Sequence, residues 1–155
     1  MVDSLSKKQR SENMRKIKAK NTSPEIAVRS FLFSKGVRYK LHRKDLPGKP
    51  DIVVPRIKTI VFVHGCFWHN HSGCKRATIP KSNTDYWESK IKGNVLRDKT
   101  HTGELIQLGW KVKIVWECEV KNLFTNTTLI NLINDYRMNR EETEKNTNQL
   151  SNKRN

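Results

Sequence analysis

Acidic side chains are scarce in this chain of 155 residues. It has 15 Asp and Glu against 31 Lys and Arg, which gives a formal net charge of +16. Such an excess points to a polyanionic partner, and nucleic acid is the first candidate because Lys and Arg that neutralise phosphates release condensed counterions. The charge alone leaves open whether the chain is an enzyme, a chromatin-type binder or a ribosomal protein.

Long apolar runs are missing as well. The opening residues "MVDSLSKKQRSENMRKIKAK" contain no apolar segment, and no stretch approaches the roughly 18 consecutive apolar residues of a membrane span. We therefore expect a protein without a membrane partner, located in the cytoplasm and associated with the nucleoid when bound to DNA. Its three cysteines, an odd number, argue against a disulfide framework and leave metal ligation or plain burial.

The chain divides into an arm, a domain and a tail. Residues 1–20 are polar and basic and predict a helix or arm that contacts DNA and orders on its partner. Residues 21–138 predict one α/β domain with the element order α, β, β, β, α, β, α, which means a small mixed sheet flanked by helices. Residues 139–155 are nearly devoid of apolar side chains and predict a disordered tail.

Local signals place these elements. Thr22 and Glu25 have the spacing of a capping box in front of an apolar helical face. Alternation predicts a strand from Val37 to His42, and two β-branched runs predict a buried hairpin. The further elements, in chain order, are a helix from Thr84 to Leu108, a strand at "WKVKIVW" and a helix at "NTTLINLINDYRM".

Cysteine and histidine cluster in "HGCFWHNHSGC". Cys66, His71 and Cys74 follow a C-x4-H-x2-C spacing, and Cys118 stands at the end of a predicted strand. Three thiolates and one imidazole would complete a closed tetrahedral site, which favours zinc in a structural role. The alternative is that Cys118 is a buried strand cysteine and that the loop residues are near one another by chance.

Asp51 and His64 stand at the ends of the hairpin strands. Asp51 follows Pro50, and a carboxylate there suits Mg²⁺, although a turn-capping aspartate would explain it too. Many restriction-type nucleases carry an acidic-x-Lys triplet one strand later. Here that place reads Phe62-Val63-His64, so histidines would have to replace the missing groups. Taken alone, a histidine at a strand end such as His64 is more often structural.

Two further acids qualify by position. Glu25 lies in a first helical turn, where capping with Thr22 is the simpler explanation. Asp98 lies seven residues after Ile91 and seven before Leu105, on the apolar face of its helix. A carboxylate buried there needs an ion, an arginine or a histidine as partner. A histidine so paired would be oriented as a general base requires.

Five segments together resemble the very short patch repair (Vsr) endonucleases, a family that nicks T:G mismatches. They lie in order between Ser11 and Cys118: "SENMRKIKAKNTSPE", "LPGKPDIVV", "VFVHGCFWHNHSGC", "NTDYWESKIKGNVLRD" and "LGWKVKIVWEC". The resemblance implies a restriction-endonuclease-like fold with a structural zinc. It also implies Mg²⁺-dependent hydrolysis of one DNA strand on the 5′ side of the mismatched thymine, where 5-methylcytosine has been deaminated.

The resemblance also implies partners and residue roles. The substrate would be double-stranded DNA with a T:G mismatch, cut by a monomer that accompanies a cognate cytosine-5 methyltransferase and mismatch-repair helper proteins. Asp51 matches the metal-binding aspartate, and Val63, often threonine in the family, matches the position whose main-chain carbonyl completes that site. His69 matches the general base and His64 the second catalytic histidine. The acids that support the metal site and orient the histidine are matched by Glu25 and Asp98, and the zinc ligands by Cys66, His71, Cys74 and Cys118.

Phe67 and Trp68 acquire a meaning from the same resemblance. Aromatic side chains on a metal-stiffened loop can wedge between base pairs, at an unstacking cost that is lower at a mismatch. In the family these aromatics insert from the major groove, and Met14 matches a methionine that inserts from the opposite side. From the residues alone, core packing explains Phe67 and Trp68 equally well.

Two other classes of protein compete with this interpretation. One is a zinc-stabilised DNA-binding protein without catalysis, which would have no use for Asp51, His64 and His69 together. The other is an ordinary double-strand restriction nuclease, which would need a means of cutting both strands, such as a symmetric dimer, and would have little use for an aromatic wedge.

Overall fold

The computed structural model describes residues 6–18 and 20–152. Helix α1, Lys7–Lys16, begins with a capping box between Ser6 and Gln9, and its residues from 11 to 16 are all exposed. It lies in the predicted arm, whose residues 1–5 and 19 fall outside the described residues. Helix α2, Ser23–Ser34, begins at the predicted cap Thr22 and buries Val28, Phe31 and Leu32.

Four strands form one mixed sheet in the order β1-β2-β3-β4. They are β1 Lys40–Leu41, β2 Ile52–Val54, β3 Thr59–His64 and β4 Lys111–Trp116. The predicted hairpin is confirmed, because β2 and β3 pair antiparallel across a 3-10 turn at Pro55–Ile57. Strand β4 pairs parallel with β3, since helix α3, Thr84–Gln107, carries the chain back to the start of the sheet.

The strand predicted from Val37 to His42 is wrong in extent, because only Lys40 and Leu41 pair with β2. Val37 is fully buried, and its N–H is bonded to Leu32 O at the end of α2. His42 adopts a left-handed backbone with φ 50°, which ends the strand.

Both faces of the sheet are covered by helices. On one face, side chains of α2 and of helix α4, Thr127–Asn152, pack against Ile52, Val54, Val61 and Val115. On the other face, Leu105 of α3 packs against Val53, Ile60 and Phe62. Each fully buried aliphatic side chain contributes roughly 1.5–3 kcal/mol, so this alternation along β2 and β3 holds the sheet between its helices.

Helix α4 is longer than the predicted helix "NTTLINLINDYRM". The structure continues it through residues 139–152, where residues 141–150 are all exposed and Arg140 pairs with Glu144 one turn later. The strong helix formers of this segment lie mainly in "REETEK", residues 140–145, and they favour the continuation there. The disorder predicted for residues 139–155 stays a prediction, and residues 153–155 lie outside the described part. Among the described helices, none is both long and apolar enough to cross a bilayer.

Candidate active site

One cleft of about 740 Å³ opens where β3 ends between α2 and α3. The five predicted catalytic side chains and the predicted carbonyl position all line it: Glu25, Asp51, Val63, His64, His69 and Asp98. They come from α2, from the hairpin, from the loop after β3 and from α3. The fold therefore brings together residues that the sequence separates widely.

Asp51 is anchored to the neighbouring strand. The main-chain N–H of Val63 donates to Asp51 Oδ2 at 2.8 Å. Burial raises the pKa of the Asp51 carboxyl to about 7, and although the Val63 N–H lowers this pKa, the charge of Glu25 raises it further. A cation beside Asp51 would offset that burial and restore the carboxylate, so the position fits a ligand of a hard metal ion.

His69 and Asp98 form the shortest polar contact of the cleft. His69 Nδ1 lies 2.6 Å from Asp98 Oδ2, and both side chains are half-buried. The partner of Asp98 is thus a histidine, one of the three kinds of partner predicted from its position on the apolar face of α3. A carboxylate that accepts the proton of Nδ1 fixes the tautomer and leaves Nε2 free to accept another proton.

His64 stacks on His69 with ring centroids 3.8 Å apart and planes 9° apart. It is 6% exposed and also touches the rings of Phe62 and Trp116. Burial lowers the pKa of His64 to about 4, and the neighbouring His69 lowers it further. His64 is therefore a neutral hydrogen-bonding group at neutral pH.

The three residues His64, His69 and Asp98 also hold potential ligand atoms within 4.8 Å of one another. The parallel rings nevertheless argue against shared coordination in this arrangement. The nitrogen lone pairs of an imidazole lie in its ring plane, so the lone pairs of two parallel rings do not meet at one ion. The arrangement is better suited to hydrogen bonding and proton transfer than to chelation.

Glu25 combines a capping contact with a place in the cleft. Its carboxylate accepts hydrogen bonds from the Thr22 hydroxyl at 2.8 Å and from the Asn21 main-chain N–H at 2.9 Å. Glu25 is only 6% exposed, and its charge acts on Asp51. The expected contact with Thr22 and a position close to Asp51 are thus both present.

Four side chains beside the cleft form a possible metal site: Cys66, His71, Cys74 and Cys118, whose ligand atoms all lie within 4.8 Å of one another. His71 Nδ1 is 3.6 Å from Cys66 Sγ and 3.3 Å from Cys118 Sγ. A tetrahedral ion with bonds of about 2.0–2.3 Å separates its ligand atoms by roughly 3.5 Å. The spacing of the donors therefore fits such an ion.

The charge state of the thiols supports that fit. Desolvation raises the pKa of Cys118 to about 12, with Cys66 as the next cause, whereas the main-chain N–H of Arg76 lowers the pKa of Cys74. Thiols held this close together cannot all ionise unless a cation lies between them. The ring of His71 is held by parallel stacking on Trp116, with centroids 4.1 Å apart.

Phe67 and Trp68 belong to a group of aromatic rings. Both are half-buried, and both pack against Trp87 near the start of α3, with centroids 5.4 and 6.1 Å away. Trp68 also lines the cleft. Met14 lies on the exposed helix α1 with 39% of its surface accessible. The aromatic pair is thus neither fully buried in the core nor free in solvent.

Other polar residues in or near the cleft are not predicted by any sequence motif. Asn94 lies on α3 one helical turn before Asp98, and its Nδ2 donates to the Trp68 main-chain oxygen at 2.9 Å. Together with Asp98, Asn94 connects α3 to two consecutive residues of the loop. The i,i+4 spacing to Asp98 is the one signal that could have found it. The cleft is further lined by Lys18, Lys20, His42, Lys44, Lys49, His101 and Glu117.

A strongly basic α/β protein whose cleft joins carboxylates, an oriented histidine and lysines has the properties of a nuclease. Comparison with known proteins agrees. Residues 2–76 match the family model described as "DNA mismatch endonuclease Vsr". The chain belongs to this family and is a DNA-cleaving hydrolase, which confirms the resemblance carried by its motifs.

Relatives extend the match beyond residue 76. "Type II nicking enzyme V.XorIIP" of Xanthomonas oryzae is 51% identical over 123 residues, covering 79% of this chain and 90% of the relative. "Type II nicking enzyme V.NmeAIP" of Neisseria meningitidis is 52% identical over 122 residues, covering 79% and 86%. "DNA mismatch endonuclease Vsr" of Escherichia coli is 40% identical over 121 residues, covering 78% and 77%.

Proposed function

We propose that this protein is a Mg²⁺-dependent, strand-specific endonuclease that nicks DNA on the 5′ side of the thymine in T:G mismatches produced by deamination of 5-methylcytosine. The observation that carries the proposal is the His69–Asp98 pair in the same cleft as Asp51. The printed names of the relatives, which include a mismatch endonuclease and nicking enzymes, support the substrate and the single-strand cut.

His69 is the general base of the proposed reaction. The contact with Asp98 holds the proton on Nδ1, so Nε2 can remove a proton from an attacking water. Asp98 then stabilises the imidazolium that forms. The neutral His64 ring beside it offers a hydrogen bond to the phosphate without placing a second positive charge against His69.

Asp51 and the main-chain carbonyl of Val63 would hold Mg²⁺, with Glu25 as a supporting acid. When bound, the ion supplies a fixed positive charge that binds the scissile phosphate and makes water a better nucleophile. The contact between Val63 N–H and Asp51 orients the carboxylate for this task. The lysines that line the cleft add sequence-independent attraction for the DNA backbone.

Zinc is the ion we propose for Cys66, His71, Cys74 and Cys118, in a structural role. Both catalytic histidines and the aromatic pair lie in or beside the loop that these ligands would close. Such an ion would keep Phe67 and Trp68 ready to wedge beside the mismatch, with Met14 inserting from the opposite side. The sheet with helices on both faces supports a restriction-endonuclease-like fold.

The remaining assignments follow the same proposal. The protein acts as a monomer on double-stranded DNA, with residues 1–20 as the DNA-contacting arm and residues 21–138 as the endonuclease domain. A cytosine-5 methyltransferase and mismatch-repair helper proteins are its expected companions. A nick on one strand needs one active centre, which a single copy of this cleft provides.

The first experiment offers labelled duplexes with one T:G pair in several methylation-site contexts, beside matched T:A duplexes, with Mg²⁺ and with EDTA. We expect a single nick on the thymine strand that requires Mg²⁺ and is absent from T:A. His69→Ala should abolish the nick and leave mismatch binding nearly intact. Cutting of both strands, or equal cutting of T:A, would contradict the proposal.

Matched variants separate catalysis from binding. Asp51→Asn removes one cleft carboxylate charge, and Asp135→Asn removes one from the exposed face of α4. We expect only Asp51→Asn to lose nicking. Tight binding of mismatched DNA without any cut by the wild-type protein, unaffected by Asp51→Asn, would favour a non-catalytic DNA-binding protein instead.

A further inference from the structure

Asn21 occupies the junction between helix α1 and helix α2 in a left-handed conformation, with φ 54°. Among residues other than glycine, asparagine is one of the few that enter this region readily. The conformation has a direct consequence for the cleft. It points the main-chain N–H of Asn21 at Glu25 Oε2, 2.9 Å away, while the other carboxylate oxygen accepts from Thr22.

The side chain of Asn21 is held from two other elements. Arg29 Nη1 on α2 donates to Asn21 Oδ1 at 2.8 Å, and His42 Nε2 lies 3.3 Å from the same oxygen. A guanidinium has no acceptor, so the amide of Asn21 must turn its oxygen toward Arg29. His42 can then join the contact only by donating its Nε2 proton.

His42 carries a left-handed backbone of its own, with φ 50°, directly after β1. It also lines the cleft. Two residues with left-handed backbones, from separate parts of the chain, therefore contact each other through Asn21 Oδ1. Such conformations persist where the surroundings hold them, and they concentrate at functional sites.

We propose that Asn21 is a positioning residue of the nicking site, which fixes the Glu25 carboxylate through its main-chain N–H and is itself fixed by Arg29 and His42. The inference rests on the proposed function, because the orientation of Glu25 affects nicking only if Glu25 supports the metal site. Asn21 touches none of the groups proposed to act on the phosphate. Its influence passes through Glu25 and through the charge that Glu25 places beside Asp51.

Three substitutions at Asn21 separate its contacts. Asn21→Asp keeps an acceptor for Arg29 and His42 and tolerates the left-handed backbone. Asn21→Gly keeps the backbone conformation and the N–H but removes the acceptor. Asn21→Ala removes the acceptor and disfavours the conformation, so it should turn the N–H away from Glu25.

We expect nicking of a T:G duplex under single turnover, with saturating protein and Mg²⁺, to fall about 10- to 100-fold in Asn21→Ala. Asn21→Asp should stay within about 3-fold of the wild type, and Asn21→Gly should lie between the two. The dissociation constant for mismatched DNA should change less than about 3-fold in Asn21→Ala and Asn21→Gly, because neither substitution alters a charge that attracts the DNA backbone. A purely structural role would not produce this separation of rate from binding, nor the rescue by aspartate.

Asn83→Ala is the matched control. Asn83 has the same left-handed backbone, with φ 55°, and its side chain makes no capping hydrogen bond to α3. The control carries the conformational cost of alanine without disturbing Glu25. If Asn83→Ala lowers the nicking rate as much as Asn21→Ala, or if all three Asn21 variants nick at the wild-type rate, the inference is overturned.

The carboxyl ¹³C resonance of Glu25, assigned with Glu25→Gln, provides a readout that needs no nicking. We expect it to shift in Asn21→Ala and to stay near its wild-type position in Asn21→Asp. A wild-type protein that fails to nick any T:G duplex would refute the proposed function, whereas the resonance would still decide whether Asn21 fixes Glu25. An unchanged resonance in Asn21→Ala would overturn the inference even if the wild type nicks.

Discussion

Asp98 Oδ2 lies 2.6 Å from His69 Nδ1, which joins the middle of a long helix to the loop that carries the possible metal ligands. The His69 ring is thereby held between the carboxylate on one side and the parallel His64 ring on the other. As the proposed base, a ring fixed in this way needs little reorganisation when it accepts a proton. The position of α3, which carries Asp98, therefore fixes the orientation of His69 for proton transfer.

The first prediction concerns that contact. Asp98→Asn keeps the shape of the side chain but removes the charge that stabilises the imidazolium, and the amide can present either its oxygen or its nitrogen to Nδ1. We expect the single-turnover nicking rate on a T:G duplex to fall about 100-fold or more. Mismatch binding, measured by fluorescence anisotropy, should remain close to that of the wild type.

Asp135→Asn serves as control, because it makes the same chemical change at an exposed position of α4. It should nick at the wild-type rate. If Asp98→Asn loses DNA binding together with nicking, the carboxylate holds the loop in place and does not assist the base.

The second prediction concerns Trp68, which lines the cleft and packs against both Phe67 and Trp87. Trp68→Ala removes the ring proposed to stack beside the mismatch. We expect the preference for T:G over T:A, measured as the ratio of nicking rates in competition, to decrease about 10-fold or more. Unchanged discrimination would show that Trp68 only packs against Trp87. Tyr86→Ala, at a more exposed ring next to Trp87, is the matched aromatic control.

Local chemistry explains why some elements could be predicted from the sequence. The cap at Thr22, the hairpin from Ile52 to His64 and the return of the chain through α3 each depend on residues close in sequence. The spacing of Cys66, His71 and Cys74 similarly indicates a ligand set, which the fold completes with Cys118.

Relationships between distant side chains could not be predicted in the same way. Periodicity places Asp98 on the apolar face of α3, but only the packing of the loop shows that His69 is its partner. The stacking of His64 on His69 and the network around Asn21 depend on tertiary contacts and on left-handed residues that no pattern marks. The early end of β1 could not be predicted either, because it depends on the left-handed backbone of His42.

The third prediction concerns the cluster of three cysteines and one histidine. Cys118→Ser replaces a thiolate donor with a poor zinc ligand. Cys118 follows β4 by two residues, in a 3-10 segment, and its sulfur lies close to the ligand atoms of the loop after β3. We expect loss of bound zinc, measured by elemental analysis of the purified protein, and a free energy of unfolding lower by several kcal/mol. Ser72→Ala, at an exposed position of the same loop, should keep both zinc and stability. A wild-type protein that contains no zinc after purification in zinc-supplemented medium would contradict the site.

The last prediction follows from Asp51, whose pKa is raised from 3.8 to about 7 by burial. Between these two pH values the folded state retains a proton that the unfolded chain has lost. The free energy of unfolding therefore decreases as the pH rises through this range, and the decrease is complete above about pH 7. Asp51→Asn has no proton to lose and still offers an oxygen to the Val63 N–H. Without Mg²⁺, we expect urea denaturation to show this variant gaining stability over the wild type as the pH rises from about 5 to about 8.

At about pH 8, Mg²⁺ should reverse the stability advantage of Asp51→Asn over the wild type, because only the wild type has a carboxylate for the ion to neutralise. We therefore expect Mg²⁺ to raise the melting temperature of the wild type and not that of the variant. Asp135→Asn, which alters an exposed carboxylate, should follow the wild type at every pH and respond equally to Mg²⁺. The low pKa of His64, about 4, makes both the wild type and Asp51→Asn lose stability in acid. The difference between these two proteins therefore does not contain the contribution of His64. If Mg²⁺ stabilises Asp51→Asn as much as the wild type, the ion binds elsewhere. The free energies of unfolding of the wild type and Asp51→Asn could instead depend on pH in the same way. In that case the pKa of the Asp51 carboxyl is not raised by burial, and this pKa gives no support for a cation beside it.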